Sequence, residues 1–442
     1  MKAYKAGRKG FTAAYIPFIS VFLIIIFFSK CNTTEPTKQK LELGFEDASC
    51  TEVWLKLTGE TGTEVTLTRN DKGIEKFTLT TSPQTIRDDS LNPNTTYKYK
   101  ITGNGETGAA EAATLDTTSN SFTWQTWNFG GDIGSCRLYD AAIINENDIW
   151  AVGEILMPDT NENGYTRYNA VHWDGNKWEL KRITVLYNDN YITPPLYGIV
   201  AFASNEIWLS SGVPIKGDGI NWEQYHLFNM GILNQDDGYL TKIWGASRDD
   251  LYYVGTLGTI AHYQNGVWTK IETGTDLQFY DIYGSENSQT GKLEILAVCS
   301  QNYPPGKGIY SIEGNKATEI SSNIPAEQIA ELFGIWFIPE RHYYLSGDGI
   351  YEKNLLSENS WQNGPLEITH YATGGIKANG LNDIFTAGAY GEVLHFNGVR
   401  WKSFINETGL SSGGYSRVAV KGNIIIATGG EGQQAKILMG KR

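Results

Sequence analysis

Basic residues are scarce in this 442-residue sequence relative to acidic ones. Lys and Arg together number 36 against 49 Asp and Glu, which gives a formal net charge of −13 at pH 7. An acidic surface repels phosphate groups, and no stripe of basic residues interrupts it. The charge balance therefore argues against nucleic acid as a partner.

Cysteine is rarer still, with four residues spread over the chain. The wide spacing of Cys31, Cys50, Cys136 and Cys299 fits neither a disulfide framework nor a CxxC metal site. We expect Cys50, Cys136 and Cys299 to be small buried side chains.

Familiar catalytic motifs are absent as well. The sequence has no G-x-S-x-G elbow, no H-E-x-x-H and no G-x-x-x-x-G-K-[ST] loop. A glycosidase needs two carboxylates at a set separation in a cleft, and the sequence does not show whether a pair such as Asp140 and Asp281 meets. The sequence therefore names no catalytic residue and favours a non-catalytic protein without a cofactor.

Only the N-terminus contains a long apolar run. Basic residues at 2–9 precede the uncharged segment 11–29, and a polar linker follows at 31–40. This pattern predicts a signal or anchor segment over residues 1–30. Cys31 resembles the acceptor cysteine of bacterial lipoprotein signals, which implies lipidation there. An uncleaved membrane helix is the alternative, because the apolar run is long enough to span a bilayer. Both routes predict an exported, membrane-anchored protein at the outer membrane or cell surface.

Residues 41–117 alternate between polar and apolar positions in about seven short stretches, which predicts an immunoglobulin-like β-sandwich. We expect Trp54 to lie in its core on the second strand. The segment "LNPNTTYKYKI" at 91–101 resembles the tyrosine corner of fibronectin type III domains, with Tyr97 as the tyrosine. The resemblance implies that this domain is a spacer.

Residues 120–442 repeat a different pattern: an acidic or polar residue, an apolar residue, an aromatic, two small or apolar residues and then a glycine, as in "DIWAVG" (148–153) and "DIFTAG" (383–388). Seven copies occur 41 to 58 residues apart. A unit of this length made only of strands is typical of a β-propeller blade, so seven copies predict a seven-bladed propeller. The repeats resemble those of bacterial exported propellers with "IWAVG…HYDG..W" units.

The ends of the repeat region predict ring closure. The last unit stops after its third strand, "AKILMGKR" (435–442), and a lone strand, "FTWQTWNFG" (122–130), precedes the first unit. Pairing the two completes the seventh blade and hides its edges. The fold class is therefore all-β, a sandwich followed by a closed propeller.

A His-aromatic-turn-Trp unit recurs with His172, His262 and His395. Equivalent positions in a repeat lie far apart around a ring, so these histidines do not converge on one metal. We interpret them, and the tryptophans that follow them, as packing residues.

A ligand site is predicted on the channel and on one loop-rich face. Long insertions at 154–168, 184–195 and 227–240 are rich in Tyr, Asn and Asp, which suits glycan or protein recognition. Large side chains near the starts of the first strands are the candidate ligand-binding residues: Tyr139, Tyr197, Lys242, Trp244, Tyr283, Trp336 and Arg417.

Asp159, Asn161 and Asn163 alternate before Gly164, as at the start of a calcium-binding loop. The twelfth position of the motif is Ala170 rather than Glu, so a plain Asn-rich turn is the alternative interpretation. Ca²⁺ is the one metal for which the sequence predicts a site.

The prediction for function is a monomeric, membrane-tethered binding protein whose propeller recognises a glycan or a protein. The alternative is a glycan-active enzyme, a glycosidase or glycosyltransferase-like protein, that uses the channel. Two carboxylates converging in the channel favour the enzyme, and an aromatic surface favours binding.

Overall fold

The computed structural model describes residues 39–303, 305–320, 331–358, 360–364, 368–369 and 371–442. The anchor segment and Cys31 lie outside these residues. In the described part, no helix is long and apolar enough to cross a membrane.

The N-terminal unit consists of two antiparallel sheets that bury one cluster of apolar side chains. One sheet has the order β1-β2-β5 and the other β4-β3-β6-β7. Alternate residues Val53, Leu55 and Leu57 are fully buried in the shared cluster because successive side chains of a strand point to opposite faces. The strands are β1 (Glu42–Ala48), β2 (Val53–Thr58), β3 (Glu64–Arg69), β4 (Lys72–Thr78), β5 (Gln84–Asp88), β6 (Thr96–Gly103) and β7 (Glu106–Ala113).

Trp54 is buried elsewhere than predicted. It lies on the opposite face of β2 from Val53 and Leu55, and it joins a cluster with Trp336 and Tyr344 of the C-terminal part. The expectation that Trp54 belongs to the core of its own unit is wrong, because the alternation of the strand directs its ring outwards.

Seven four-stranded antiparallel sheets follow, as the repeat predicted. The first strands are β9 (Arg137–Asn145), β15 (Gly198–Ala203), β19 (Leu240–Ser247), β23 (Gln278–Glu286), β27 (Leu332–Ile338), β31 (Thr373–Gly380) and β35 (Gly414–Lys421). The second strands are β10 (Asp148–Pro158), β16 (Glu206–Ser210), β20 (Asp250–Gly255), β24 (Leu293–Asn302), β28 (His342–Gly347), β32 (Asp383–Gly388) and β36 (Ile424–Glu431). Each of these contains one copy of the sequence repeat.

The outer strands complete the sheets. The third strands are β11 (Tyr165–Trp173), β17 (Pro214–Gly217), β21 (Ile260–Gln264), β25 (Pro305–Glu313), β29 (Gly349–Lys353), β33 (Val393–Phe396) and β37 (Gln434–Lys441). The fourth strands are β12 (Trp178–Lys181), β18 (Trp222–Gln224), β22 (Val267–Ile271), β26 (Lys316–Glu319), β30 (Gln362–Asn363), β34 (Trp401–Ser403) and, in the last sheet, β8 (Thr123–Phe129). A separate hairpin, β13 (Val185–Tyr187) with β14 (Asn190–Ile192), and the single helical turn α1 (Ile405–Thr408) lie between sheets.

The seventh sheet joins the two ends of the repeat region. Strand β8 pairs antiparallel with β37, with Trp124 opposite Gly440 and Trp127 opposite Ile437. The Trp127 ring lies 5.6 Å from that of Trp173 on the first sheet. In addition, each first strand contacts the first strand of the next sheet, and β35 contacts β9. The arrangement fits a seven-bladed propeller with a central channel.

The N-terminal unit contacts the turns at one end of this ring. The Arg341 guanidinium lies 4.9 Å above the Trp54 ring and bonds Asp47 Oδ2 at 3.0 Å. Glu52 contacts His342 Nε2 at 2.5 Å and Arg87 Nε at 3.1 Å. The contact therefore combines a buried aromatic ring, the buried Arg341 guanidinium and the largely buried Glu52–His342 pair, while Arg87 holds Glu52 from within the N-terminal unit.

The cysteines behave as expected. Cys50, Cys136 and Cys299 are free and buried. Burial raises the pKa of the Cys50 thiol to about 11 and that of Cys299 to about 12, so neither is a reactive thiolate at neutral pH.

Candidate functional site

The first strands of the seven sheets line the central channel. We call the end at which these strands begin the upper end, and the end at which they finish the lower end. Loops that join successive sheets reach the upper end, whereas the N-terminal unit contacts turns at the lower end, such as Arg341 between β27 and β28. Two cavities occupy the channel, one at each end.

The upper cavity has a volume of about 640 Å³ and aromatic walls. The rings of Tyr139 and Tyr197 lie 5.4 Å apart on one side, and those of Tyr280 and Phe333 lie 5.1 Å apart on another. Small residues form much of the remaining wall: Ala372, Gly374, Gly388, Ala389, Gly413 and Gly414. A cavity of this size and lining accommodates a ligand side chain or a short extended segment.

Cationic side chains lie at the base and rim of the upper cavity. Arg417 donates from Nη2 to the Tyr280 carbonyl at 2.6 Å and from Nη1 to the Gly374 carbonyl, and Arg137 donates from Nε to Ser416 Oγ at 2.8 Å. Within the described residues neither guanidinium forms an ion pair with a carboxylate, so the cavity carries positive charge.

A layer of ion pairs separates the two cavities. Lys242 Nζ lies 2.6 Å from Asp140 Oδ2, and Lys377 Nζ lies 3.0 Å from Asp281 Oδ2. Burial raises the pKa of the Asp281 carboxyl, but the ammonium groups of Lys377 and Lys242 outweigh that effect and lower it. An ionised, lysine-paired carboxylate does not serve as the general acid of a glycosidase.

The lower cavity has a volume of about 260 Å³. Trp244, Tyr283 and Trp336 supply its aromatic walls, and Lys377 lies at its inner end. Valine, isoleucine and alanine side chains form most of the rest: Ala141, Ile199, Val200, Ile243, Ile282, Ala378, Val418, Ala419 and Val420.

All seven predicted ligand-binding residues line the channel, but they do not form one pocket. Tyr139, Tyr197 and Arg417 line the upper cavity. Trp244, Tyr283 and Trp336 line the lower one, and Lys242 contributes to both. The position of a residue along its first strand decides whether its side chain lies at the upper or the lower end of the channel. The sequence prediction did not take that position into account.

Sequence reasoning missed several upper-cavity residues, including Arg137, Phe333 and Tyr415. Each stands at or next to the first residue of a first strand. Because the repeat pattern is strongest on the second strands, it does not mark these positions; counting back from each second strand would have found them.

Two of the three predicted loops lie beside the upper cavity, whereas most of the third, 154–168, is strand, because β10 runs to Pro158 and β11 begins at Tyr165. Loops 184–195 and 227–240 lead directly into Tyr197 and Thr241, which line the upper cavity. The Tyr187 ring stacks on His226 with centroids 5.3 Å apart, which connects the first of these loops with the chain before the second.

The recurring histidines are structural. His172, His262 and His395 each contact an aspartate of the neighbouring second strand at 2.6 to 2.9 Å, and each ring packs against an aromatic ring. They lie on three different sheets, in agreement with the prediction that they pack rather than meet.

The predicted calcium loop forms a turn stabilised by its own side chains. Asp159 accepts hydrogen bonds from the Thr160 amide and from Asn161 Nδ2, and Asn161 Oδ1 accepts one from the Asn163 amide at 3.0 Å. Among the described residues, no group of three or more His, Cys, Asp or Glu side chains could hold a metal. Calcium binding at Asp159, Asn161 and Asn163 stays a prediction.

Comparison with protein families and curated proteins found no match for this sequence. Solved structures do resemble it. YCF48 bound to D1 peptide aligns with 15% identity and a TM-score of 0.52, over 74% of this chain and 100% of that one. A catalytically inactive form of virginiamycin B lyase from Staphylococcus aureus, with quinupristin, aligns with 12% identity and a TM-score of 0.51, over 72% and 99%.

The WD40 β-propeller domain of Doa1 is more distant, with 13% identity and a TM-score of 0.49 over 72% of this chain and 97% of that one. The neighbours are β-propeller proteins, and at these identities the likeness shows the fold alone. It supports an all-β propeller fold for this chain.

Proposed function

We propose that the protein binds a polypeptide segment in the upper cavity. The observation that carries this proposal is the cavity itself, about 640 Å³ with four aromatic rings in two close pairs. Arg137, Arg417 and Lys242 add donors that suit backbone carbonyls or acidic side chains of a ligand.

Exposed apolar side chains around the upper end favour a polypeptide over a glycan. The loops there expose aliphatic side chains as well as tyrosines, and aliphatic groups gain from burial against another protein but offer little to a sugar. The exposed residues are Leu186 (56%), Tyr191 (79%), Met230 (51%), Tyr239 (67%) and Leu257 (56%).

The similarity to a propeller that is bound to a peptide supports the same proposal at the level of fold. The lysine-paired Asp140 and Asp281 give no support to glycan hydrolysis in the channel.

We also propose that the N-terminal unit is a fibronectin type III-like sandwich that acts as a spacer. Its two sheets enclose one apolar cluster. Tyr97 Oη accepts a hydrogen bond from the Asn92 amide at 2.9 Å, which is the backward bond of a tyrosine corner. Together with an exported, lipid-anchored N-terminus at Cys31, this unit would hold the propeller away from the membrane, with the upper cavity facing outwards.

A displayed library of random 12-residue peptides, selected on the purified protein, tests the binding proposal. We expect enriched peptides to bind, with a Tyr197→Ala variant losing at least about tenfold in affinity by fluorescence anisotropy, since one buried aromatic contact is worth roughly 1.5–3 kcal/mol. The matched control is Phe45→Ala, which removes an exposed ring (51%) on the N-terminal unit and leaves binding unchanged.

Two outcomes contradict the proposal. One is a set of enriched peptides whose affinity is the same for Tyr197→Ala and for the unaltered protein. The other is the absence of peptide enrichment together with glycan-array binding that depends on Tyr197, which identifies a glycan as the ligand instead.

A further inference from the structure

The lower cavity is a separate compartment of the channel, and the proposed polypeptide site does not use it. Its walls combine three aromatic rings with aliphatic side chains, and its charged lining residues are Asp140, Lys242 and Lys377. At about 260 Å³ it lies just below the range of roughly 300–1,000 Å³ in which most ligand pockets fall. Only a small molecule fits such a space.

The charge layer above this cavity carries an excess positive charge. Among the residues that the structure describes, it contains three cations, Lys242, Lys377 and Arg417, and two carboxylates, Asp140 and Asp281. Each carboxylate pairs with one lysine. Arg417 donates to backbone carbonyls rather than to a carboxylate among the described residues. One negative charge would therefore balance the layer.

Lys377 is placed to contact that charge. Its side chain is 23% exposed and lines the lower cavity. An ammonium group has three N–H donors, and within the described residues Lys377 makes one hydrogen bond, to Asp281. Burial lowers the pKa of Lys377 and the nearby Lys242 ammonium lowers it further, so the net direction is downward despite Asp281.

The rest of the cavity selects for an apolar body. The Trp336 side chain is 3% exposed, and the Tyr283 ring lies between it and Trp244, with ring centroids 6.4 Å apart on each side. Aromatic walls of this kind bind planar or aliphatic groups through burial of apolar area. Asp140 is the one carboxylate among the described lining residues, and Lys242 neutralises it at 2.6 Å.

We propose that the lower cavity binds a small monocarboxylate with an apolar body, whose carboxylate contacts Lys377 and whose body packs among Trp244, Tyr283 and Trp336. An inorganic anion contacts only the Lys377 ammonium, and a neutral aromatic molecule packs only against the aromatic walls. A ligand with both features gains from both.

The experiment compares benzoate with benzyl alcohol, which has a similar ring and no charge. Binding to the purified protein is followed by the fluorescence of the cavity tryptophans and by calorimetry. We expect benzoate to bind at least tenfold more tightly than benzyl alcohol and not to be displaced by chloride at equal concentration. This test uses the unaltered protein. Equal affinity for the two compounds, or the absence of benzoate binding, overturns the proposal.

Variants locate the binding. Ala378→Leu fills the cavity and leaves all five charged side chains in place, so it should reduce benzoate affinity at least tenfold. Lys377→Met should do the same, whereas Lys402→Met, which removes an exposed lysine of β34, should change it less than twofold. Retention of benzoate affinity in a folded Ala378→Leu protein overturns the proposal. A loss in that variant while an upper-cavity peptide still binds separates this site from the polypeptide site.

Discussion

Replacing Trp54 by alanine should detach the N-terminal unit from the propeller. The Trp54 side chain is 2% exposed, lies under the Arg341 guanidinium at 4.9 Å and belongs to a cluster with Trp336 and Tyr344. Truncating a buried tryptophan costs about 3–5 kcal/mol. Because the lost contacts are with the propeller, that cost weakens the docking of the unit rather than its internal core.

Amide hydrogen exchange measures this effect. The Arg341 amide donates to the Ile338 carbonyl at 3.1 Å in the turn that contacts the N-terminal unit. A loss of about 3 kcal/mol corresponds to a change of roughly 100-fold in the opening equilibrium. We expect exchange in this turn and in the facing turn at 49–52 to accelerate by about that factor.

A matched control separates docking from folding. Leu67→Ala removes a fully buried side chain of the N-terminal core that is not part of the cluster with the propeller. It should accelerate exchange in β3 and β6 but leave the turn at Arg341 unchanged. Unaltered exchange at that turn in Trp54→Ala would refute the reasoning, since the ring would then contribute nothing to docking.

Three further predictions concern charge and anchoring. Burial raises the pKa of the Asp383 carboxyl, but hydrogen bonds from His395 and Arg442 lower it to about 2. Asp383→Asn should therefore reduce the free energy of unfolding, measured by urea denaturation, by about 3 kcal/mol. A loss below about 0.5 kcal/mol would contradict the buried pairing. Burial raises the pKa of the Glu52 carboxyl, but His342, Arg87 and Ser49 reverse that effect and hold the pKa below its usual 4.5. The contribution of Glu52 to docking should therefore be fully present above pH 4.5 and be lost as the pH falls through the lowered pKa. Exchange at the Arg341 turn should accelerate on acidification less in Glu52→Gln than in the unaltered protein, and an equal acceleration in both would contradict this. Labelled fatty acid should be incorporated by the unaltered protein and not by Cys31→Ser, and a protein that takes up no label would be anchored by its uncleaved apolar segment instead.

The sequence was most informative where a repeat recurs. The seven copies of the "DIWAVG" pattern fall on the seven second strands because each must alternate buried residues between two neighbouring blades. The outer-strand character of 122–130 and the missing fourth strand of the last unit predict that the two pair, and the pairing of β8 with β37 confirms this.

The direction in which a side chain points cannot be predicted from the repeat in the way that the blades can. Trp54 is apolar and lies on a strand, but only the register of β2 shows that it faces the propeller. The channel residues could be predicted as a set of large side chains on the first strands, but Trp244, Tyr283 and Trp336 lie five or six residues into their strands rather than near the starts. Their division between two cavities depends on distance along the strand, and the charge layer depends on pairs such as Asp281 with Lys377, which are 96 residues apart.

Disulfide trapping of β8 against β37 tests the ring closure on which the channel and both cavities depend. Gln125 lies opposite Met439, and directly opposed residues of an antiparallel pair have Cα atoms about 4.5–5.5 Å apart, within the range that a disulfide spans. A Gln125→Cys/Met439→Cys protein should form an intramolecular bond on mild oxidation, while Gln125→Cys/Gln434→Cys, displaced by about 17 Å along the strand, should not. Equal bonding in both, or none in the first, would mean that the ring is not closed by this strand.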